Sequence, residues 1–582
     1  MVEADTMTVV TPTLDPSLPR RYVDFDTLID AVEYAAQGKR GANFFNAKGD
    51  LLEALPWRSV RDQAAIIGRK LVGLGFKKGD RIAVIAETSA NFVSFFVGCQ
   101  YASVLPVPLP LPTSFGGRDG YVAQLEKQIE SCGANGVMAP EFMAEMIEQA
   151  TASVDMVFSG SFEDYMATDA DADHVLPSPD DLAYLQYSSG STRFPHGVAV
   201  THKSLLANTH GMSKYGVNMG DADRCVSWLP FYHDMGLVGS LMATMTCQCS
   251  VDFIPTEEFA RRPLSWLRVI SRTRGTITYG PTFGFDICTR RAAMRGKAME
   301  GLDLSCLRVA GIGAEMIRPE VMRAFTETFS TIGFNPKALM PSYGLAECTL
   351  GVSFAKTGNG IHIDMVEEAI LTGEKHMVLS GEDDARMREV VNCGTPLPEY
   401  DVEFRNEDDQ HVTDGVVGKL YLRGVSVMRE YFNDPETTRS VLSPEGWLDT
   451  GDMGYMKNGD IYIVGRAKDM IIVNGKNHWP QDIEWAAEQL EALKTGDVAA
   501  ISIPGANAEE VPLILAQCRI SDPALRAKLV DDLKKKIQSS TGVNCLIELV
   551  PPRALPRTSS GKLSRTKARA QYLSGHLQAL AS

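Results

Sequence analysis

The sequence predicts an α/β protein made of a large N-terminal unit with several subdomains and a small α+β unit at the C-terminal end. Three observations predict it. At 582 residues the chain is too long for one hydrophobic core. Short β-rich runs alternate with amphipathic stretches over most of its length. A change of texture near Gly465-Arg466-Ala467-Lys468-Asp469 then opens a compact final segment. The expected boundaries are 1–465 and 466–582.

The elements follow in order. Arg81 to Ala86 reads as a buried strand, and Ala90 to Ala102 as the helix after it. The most apolar stretch, Phe92 to Pro112, holds Gln100 and Pro106, Pro108, Pro110 and Pro112. A membrane helix needs about 20 apolar residues without such breaks. The stretch is therefore expected to be a buried helix running into a proline-stiffened extended segment. Gly120 to Cys132 carries Val122, Leu125 and Ile129 at helical spacing, and Ala134 to Ala139 returns as a strand. Beyond the boundary, Val498 to Ile503 and Leu513 to Ala516 read as strands, and Ala524 to Gln538 as a charged helix.

Composition excludes several classes. Charged residues are 22% and the hydrophobic set 44%, which is ordinary globular chemistry and no fibrous or disordered chain. With 57 Lys+Arg against 73 Asp+Glu the net charge is −16, so no general attraction for nucleic acid or anionic lipid is expected. The eleven cysteines form no CxxC pair, and Cys247 and Cys249 are too close together for a zinc knuckle. Reduced, mostly buried thiols in a cytoplasmic protein are expected. The acidic start, Met1 to Asp5, lacks the basic region and apolar core of a targeting segment.

Four short motifs carry chemistry. In Tyr184 to Gly197, an apolar strand leads into Ser188-Ser189-Gly190-Ser191-Thr192-Arg193, then Pro195, Gly197 and another strand. Glycine lets backbone approach phosphate oxygens, hydroxyls and amides donate to them, and Arg193 adds charge. No Walker GxxxxGK[ST] pattern is present. Pro341-Ser342-Tyr343-Gly344-Leu345-Ala346-Glu347 offers an aromatic face, a close-approach glycine and a carboxylate suited to Mg²⁺. Trp447 to Asp452 ends on a carboxylate able to accept two ribose hydroxyls, and Pro556 to Lys562 is a loop presenting one lysine. Each also has a bland meaning: a Ser-rich turn, a strand–helix junction, a Thr-Gly-Asp turn, a solvated lysine.

In this order, and joined by Gly465 to Asp469, the motifs resemble the adenylate-forming superfamily of acyl-CoA synthetases, luciferases and peptide-synthetase adenylation domains. The resemblance runs from about Phe25 to Lys562. It implies a large AMP-binding domain and a mobile C-terminal domain carrying a catalytic lysine. It implies that ATP and Mg²⁺ are used, with Ser188 to Arg193 on the phosphates and Gly313, Ala314, Glu315 and Ser342 to Leu345 around adenine. Asp452 would take the ribose, Glu347 and Thr192 the Mg²⁺, and Arg466 and Lys562 the nucleotide and the reacting groups. Lys468 would be the hinge. His233, in Trp228 to Asp234, would serve the substrate side as a catalytic candidate, with Asp234, Gly280, Pro281 and Phe283 along the acyl pocket.

Two departures narrow the likeness. Arg193 and His196 stand where the general family has Gly and Lys, and Ser-Gly-Ser-Thr-Arg-x-Pro is similar to the fatty acyl-AMP ligase branch, as is Asn477-His478-Trp479-Pro480. Glu347 and Gly394 are separated by 46 residues, an excess centred on about 354–377. Its Ile361, Ile363, Met365, Val366, Ile370 and Leu371 can dock an apolar face on the large domain. In that branch such an insertion is held to hinder CoA use. The resemblance then implies fatty acid activation to acyl-AMP and transfer to the phosphopantetheine thiol of a separate acyl carrier protein. No Asp-Ser-Leu carrier motif occurs in the chain. A basic cluster, Arg553, Arg557, Arg565, Lys567 and Arg569, is an expected docking surface for an acidic partner. Two other readings are a long-chain acyl-CoA synthetase and an inactive adenylate-binding sensor or scaffold; retention of Glu347, Asp452, Arg466 and Lys562 speaks against the last.

Overall fold

The computed structural model describes residues 18–112, 117–188, 196–294, 299–371, 387–473, 476–505, 510–558 and 561–580. Its centre is a nine-stranded sheet. From one edge the order is Thr395–Pro396, Gly351–Phe354, Leu339–Gly344, Val309–Ile312, Ile277–Gly280, Arg224–Ser227, Ser250–Phe253, Gly41–Phe45 and Leu51–Pro56. The six strands from Leu339–Gly344 to Gly41–Phe45 run parallel, and the outer pairs are antiparallel. The chain order reverses at Arg224–Ser227, whose two neighbours both come later in sequence. In open sheets of this kind a crevice lies beyond the carboxyl ends of the strands at such a switch.

Parallel strands covered on both faces should be apolar throughout, and Val309–Ile312 and Ser250–Phe253 are fully buried. One exception is a buried ion pair: Arg224 Nε and Nη2 meet the two oxygens of Asp252 at 2.6 and 2.5 Å, and Asn43 Nδ2 donates to the same carboxylate at 2.8 Å.

A second sheet, parallel and four-stranded, has the order Leu105–Leu109, Arg81–Ile85, Gly136–Met138 and Phe158–Gly160. The helix Ala90–Tyr101 feeds its edge strand Leu105–Leu109, where Pro106 and Pro108 are tolerated because an edge strand needs no second row of donors. This is the expected helix-then-extended arrangement of Phe92 to Pro112. A three-stranded sheet holds Leu182–Tyr187, Gly197–Thr201 and Glu430–Tyr431, so the strands flanking the Ser/Thr-rich loop pair with each other. An antiparallel meander, Tyr400–Arg405, Gly418–Gly424, Leu448–Lys457 and Asp460–Arg466, closes the large unit.

After Arg466 the chain makes one tight turn, Ala467–Asp469, and builds a separate three-stranded sheet from Val498–Pro504, Glu510–Gln517 and Leu546–Val550. Helices Pro480–Glu488 and Pro523–Thr541 pack on it through Ile483, Leu529, Leu533 and Ile537 over Val498, Ile514 and Leu549. The expected strands and charged helix are present there.

The inserted segment forms a hairpin, Ile363–Glu367 against Met387–Val391, with the short helix Glu368–Leu371. Residues 372–377 of the expected insertion lie outside the described residues. Val366, Ile370 and Leu371 are buried with Tyr455, Tyr462 and Val464 of the meander and with Trp479 beyond the turn; Met365 is exposed. Trp479 Nε1 donates to Leu371 O at 3.0 Å. The hairpin's apolar face thus meets both units, whereas the sequence suggests only the larger. Arg388 on the hairpin adds an ion pair to Asp482 at 3.0 Å. Among the described residues no helix is long and apolar enough to cross a membrane, and all eleven cysteines are free thiols.

Candidate active site

The turns after the parallel strands bring the motif residues together. Arg224–Ser227 leads to His233 and Asp234, Ile277–Gly280 to Phe283, Val309–Ile312 to Gly313–Glu315, and Leu339–Gly344 to Glu347. All of these line one cavity of about 460 Å³, together with Ser188, Ser342 to Leu345, Asp452, Arg466 and Lys562. Ser189, Gly190, Ser191, Thr192 and Arg193 lie outside the described residues. Ser188 N donates to His196 O at 3.0 Å, tying the two ends of that loop together.

Lys562 comes from the other unit. Thr558 N donates to Lys562 O at 2.8 Å and Gly561 N to Thr558 O at 2.9 Å, a tight turn that needs Gly561 at a φ of 85°. The turn delivers the ammonium to a buried place facing Asp234, Glu315 and Asp452. Burial lowers its pKa, and Asp234 and Glu315 oppose that. Glu315 is raised by burial against the hydrogen bond from Phe283 N at 2.9 Å and the charge of Lys562. Burial alone would raise Asp234 too, but His233 at 2.7 Å and Lys562 outweigh it and hold the carboxyl below its usual value.

Asp452 is held on both oxygens: Arg466 Nε donates to Oδ1 at 2.9 Å and Tyr343 Oη to Oδ2 at 2.6 Å. The charge of Asp452 raises the Arg466 pKa, while burial and then Asp452 raise the Tyr343 phenol. Glu347 Oε1 accepts from Tyr431 Oη at 2.7 Å. Its other oxygen takes no hydrogen bond from a described residue, which suits a hard cation that needs one carboxylate besides phosphate oxygens and water. Among the described residues no group of three or more His, Cys, Asp or Glu is placed to hold a metal ion.

Behind this polar end the cavity becomes apolar. One wall is the sheet: Ile277 lies opposite Cys225 in register, and Tyr279, two residues on, shares its face. The other wall comes from two π-helical runs, Met212–Gly216 and Met235–Met242, which contribute Met212, Met235 and Gly239. Such widened turns recur at functional sites. Gly280 and Pro281, expected along this pocket, do not line it; Gly280 packs against Trp266 and Phe285. The π-helical walls escaped the sequence reading because their apolar runs look like ordinary core. Lys468 sits in the turn Ala467–Asp469 between the units, its pKa lowered by burial and then by Arg466.

The basic cluster is dispersed. Arg565 pairs with Glu484 at 2.7 Å and Asp469 at 3.0 Å, Arg557 donates to Gly496 O and Gly561 O, and Arg569 to Ser502 O. Arg557 and Arg565 line the cleft, while Arg553, Lys567 and Arg569 are exposed.

Fold and cleft define an enzyme of two units that share one nucleotide-sized polar site backed by an apolar channel. Residues 32–432 match the family described as AMP-binding enzyme. A Caulobacter vibrioides protein, named provisionally as an acyl-CoA synthetase, is 42% identical over 568 residues, covering 97% of this chain and 98% of its own. The medium-chain fatty-acid–[acyl-carrier-protein] ligase JamA of Moorena producens is 30% identical over 580 residues, covering 95% and 96%. A solved structure from a study of fatty acyl-adenylate ligases of E. coli and L. pneumophila superposes with a TM-score of 0.91 at 43% identity, covering 96% of this chain and all of that one. The chain belongs to the AMP-binding enzyme family, the adenylate-forming, AMP-forming ligases. Within that family it falls in the fatty acyl-AMP ligase branch.

Proposed function

We propose that the protein condenses a fatty acid with ATP to give acyl-AMP and pyrophosphate, then passes the acyl group to the phosphopantetheine thiol of a separate acyl carrier protein. The observation that carries it is the meeting of Lys562, Asp234, Glu315, Glu347 and Asp452 at the polar mouth of an apolar channel. A fatty carboxylate is ionised at pH 7 and needs no base. Its oxygen bonds to the α-phosphorus as the bond to pyrophosphate breaks, an anion meeting a polyanion. Lys562 neutralises charge at that point, and the channel aligns the carboxylate. Asp452, held by Tyr343 and Arg466, takes the ribose; Ser342 to Leu345 and Gly313 to Glu315 frame the base. Glu347, with Thr192, would hold Mg²⁺, which would offset phosphate charge. His233 serves the substrate side with Asp234.

The second step needs the lysine gone. In this reading 1–465 and 466–582 are the two domains, and rotation about Lys468 withdraws Lys562 and opens a path for the thiol. The sulfur attacks the acyl carbonyl and AMP leaves. The carrier protein is favoured over CoA because the inserted hairpin grips the small unit through Trp479 and Leu371. The ligase activity for which JamA is named supports this; the provisional name of the Caulobacter relative supports the acyl-CoA synthetase alternative. Eleven free thiols fit a cytoplasmic setting.

The test is direct. Purified protein is given ATP, Mg²⁺ and dodecanoate, then split between CoA and a phosphopantetheinylated carrier protein, with products identified by mass. Acyl-AMP in both arms with thioester only on the carrier supports the reading. Efficient dodecanoyl-CoA would replace it with the synthetase.

A further inference from the structure

Tyr431 lies in a two-residue strand, Glu430–Tyr431, far along the chain from the motifs that name the site. Its ring is buried, yet its hydroxyl reaches Glu347 Oε1 at 2.7 Å. A phenol keeps its proton at neutral pH, so the hydroxyl donates and the carboxylate accepts. The ring is fixed from several sides. Tyr431 pairs with Val198 in the sheet, and Tyr431 N donates to Thr438 Oγ1 at 3.0 Å. His196 packs its imidazole 4.9 Å from the phenol ring and is itself tied to Asp434 at 3.0 Å. His196 O also closes the base of the Ser/Thr-rich loop by accepting from Ser188 N. The backbone of Glu347 is pinned to the same segment, its carbonyl accepting from Met428 N at 2.7 Å.

A carboxylate on a short turn has free rotation about its last bonds. One buried donor on Oε1 fixes that rotation and leaves Oε2 in a single direction. Glu430–Tyr431 and the helix Pro435–Val441 therefore join the loop's base to the carboxylate. We infer that Tyr431 is a positioning residue for the catalytic cation: its hydroxyl orients Glu347 so that one carboxylate oxygen faces the divalent metal. This rests on the reading of Glu347 as a metal ligand.

The experiment compares the full-length wild type with Tyr431→Phe, Thr438→Val and Glu347→Gln. Manganese binding is read by electron paramagnetic resonance, with a non-hydrolysable ATP analogue present. Pyrophosphate release from dodecanoate and ATP is read against Mg²⁺ concentration. Tyr431→Phe should weaken Mn²⁺ binding and raise the half-saturating Mg²⁺ by about tenfold, the scale of one hydrogen bond to a charged group. At saturating Mg²⁺ its kcat should return to within about threefold of wild type. Thr438→Val disturbs the same strand but keeps the hydroxyl, and should leave Mn²⁺ affinity within about twofold. Unchanged Mn²⁺ affinity in a folded Tyr431→Phe, or an equal loss in Thr438→Val, would overturn the inference. If Glu347→Gln itself binds Mn²⁺ like wild type, it is the metal-ligand reading of Glu347 that fails.

Discussion

The Tyr343 hydroxyl donates to Asp452 Oδ2 at 2.6 Å, joining the end of the central-sheet strand Leu339–Gly344 to the antiparallel meander 109 residues away. Arg466 holds the other oxygen, so the carboxylate reaches the cleft already oriented. Removing the phenol's hydroxyl alone, as in Tyr343→Phe, should leave the aromatic face intact and release one carboxylate oxygen. The KM for ATP is expected to rise about fivefold to twentyfold with little change in the KM for fatty acid. Equal effects on both substrates would contradict this assignment.

Lys562 is a cation that the small unit brings to face Asp234, Glu315 and Asp452. Lys562→Ala should lower acyl-AMP formation by about 10²-fold or more, as expected for loss of a charge aimed at the transition state. Transfer from chemically made acyl-AMP to the carrier should persist. A pulse of synthetic adenylate followed by mass analysis of the carrier separates the two steps.

Trp479 is buried against the inserted hairpin and donates to Leu371 O. Trp479→Ala removes both the ring and its hydrogen bond, with a local cost of about 3–5 kcal/mol if the site cannot close over the space. Thioester formation with CoA should rise several-fold while adenylation stays near wild type. No gain in CoA thioester would separate the hairpin from thiol selection.

Acid stability has a named contributor. His202 Nδ1 accepts from Leu28 N at 3.1 Å at the start of the helix Leu28–Ala35, and burial lowers its pKa to about 4. An imidazole that must stay neutral in the folded chain stabilises it above pH 6.5, and that stabilisation is lost as pH falls through 4. Urea midpoints should therefore decline between pH 6.5 and 4 more steeply in wild type than in His202→Gln. Parallel curves would assign the acid sensitivity elsewhere.

Asp252 lies in the strand Ser250–Phe253 of the central sheet, fully enclosed, and neutralises Arg224. Asp252→Ala leaves a guanidinium buried without its counter-charge, at a cost of about 3–5 kcal/mol. Calorimetry should show a melting temperature several degrees lower, and expression in inclusion bodies would agree. The paired change Asp252→Leu with Arg224→Met should recover much of the loss.

Much of this architecture is legible from residue order because local patterning and global fold agree. The strand Arg81–Ile85 and the helix Ala90–Tyr101 each end one residue short of the expected limit. Lys562, Asp452, Glu347 and Tyr343 lie in short motifs whose residue types announce polar chemistry. What escaped is long-range. Nothing near Tyr431 signals Glu347, since strand pairing at Val198 brings them together. The channel walls at Met212 and Gly239 read as core because core and channel use the same apolar residues. Arg565 looked like surface charge, yet it is spent on Glu484 and Asp469, partners set by tertiary packing.

The grip of the hairpin on the small unit is chiefly apolar, through Val366, Ile370, Leu371 and Trp479. Apolar contact weakens on cooling, whereas ion pairs such as Arg388 with Asp482 do not share that temperature dependence. If this grip sets the choice between thiols, that choice is graded by temperature. Chilled protein should show its loosest choice of acceptor, and an organism living in the cold would need a larger or more polar clasp at this seam to keep the same fidelity.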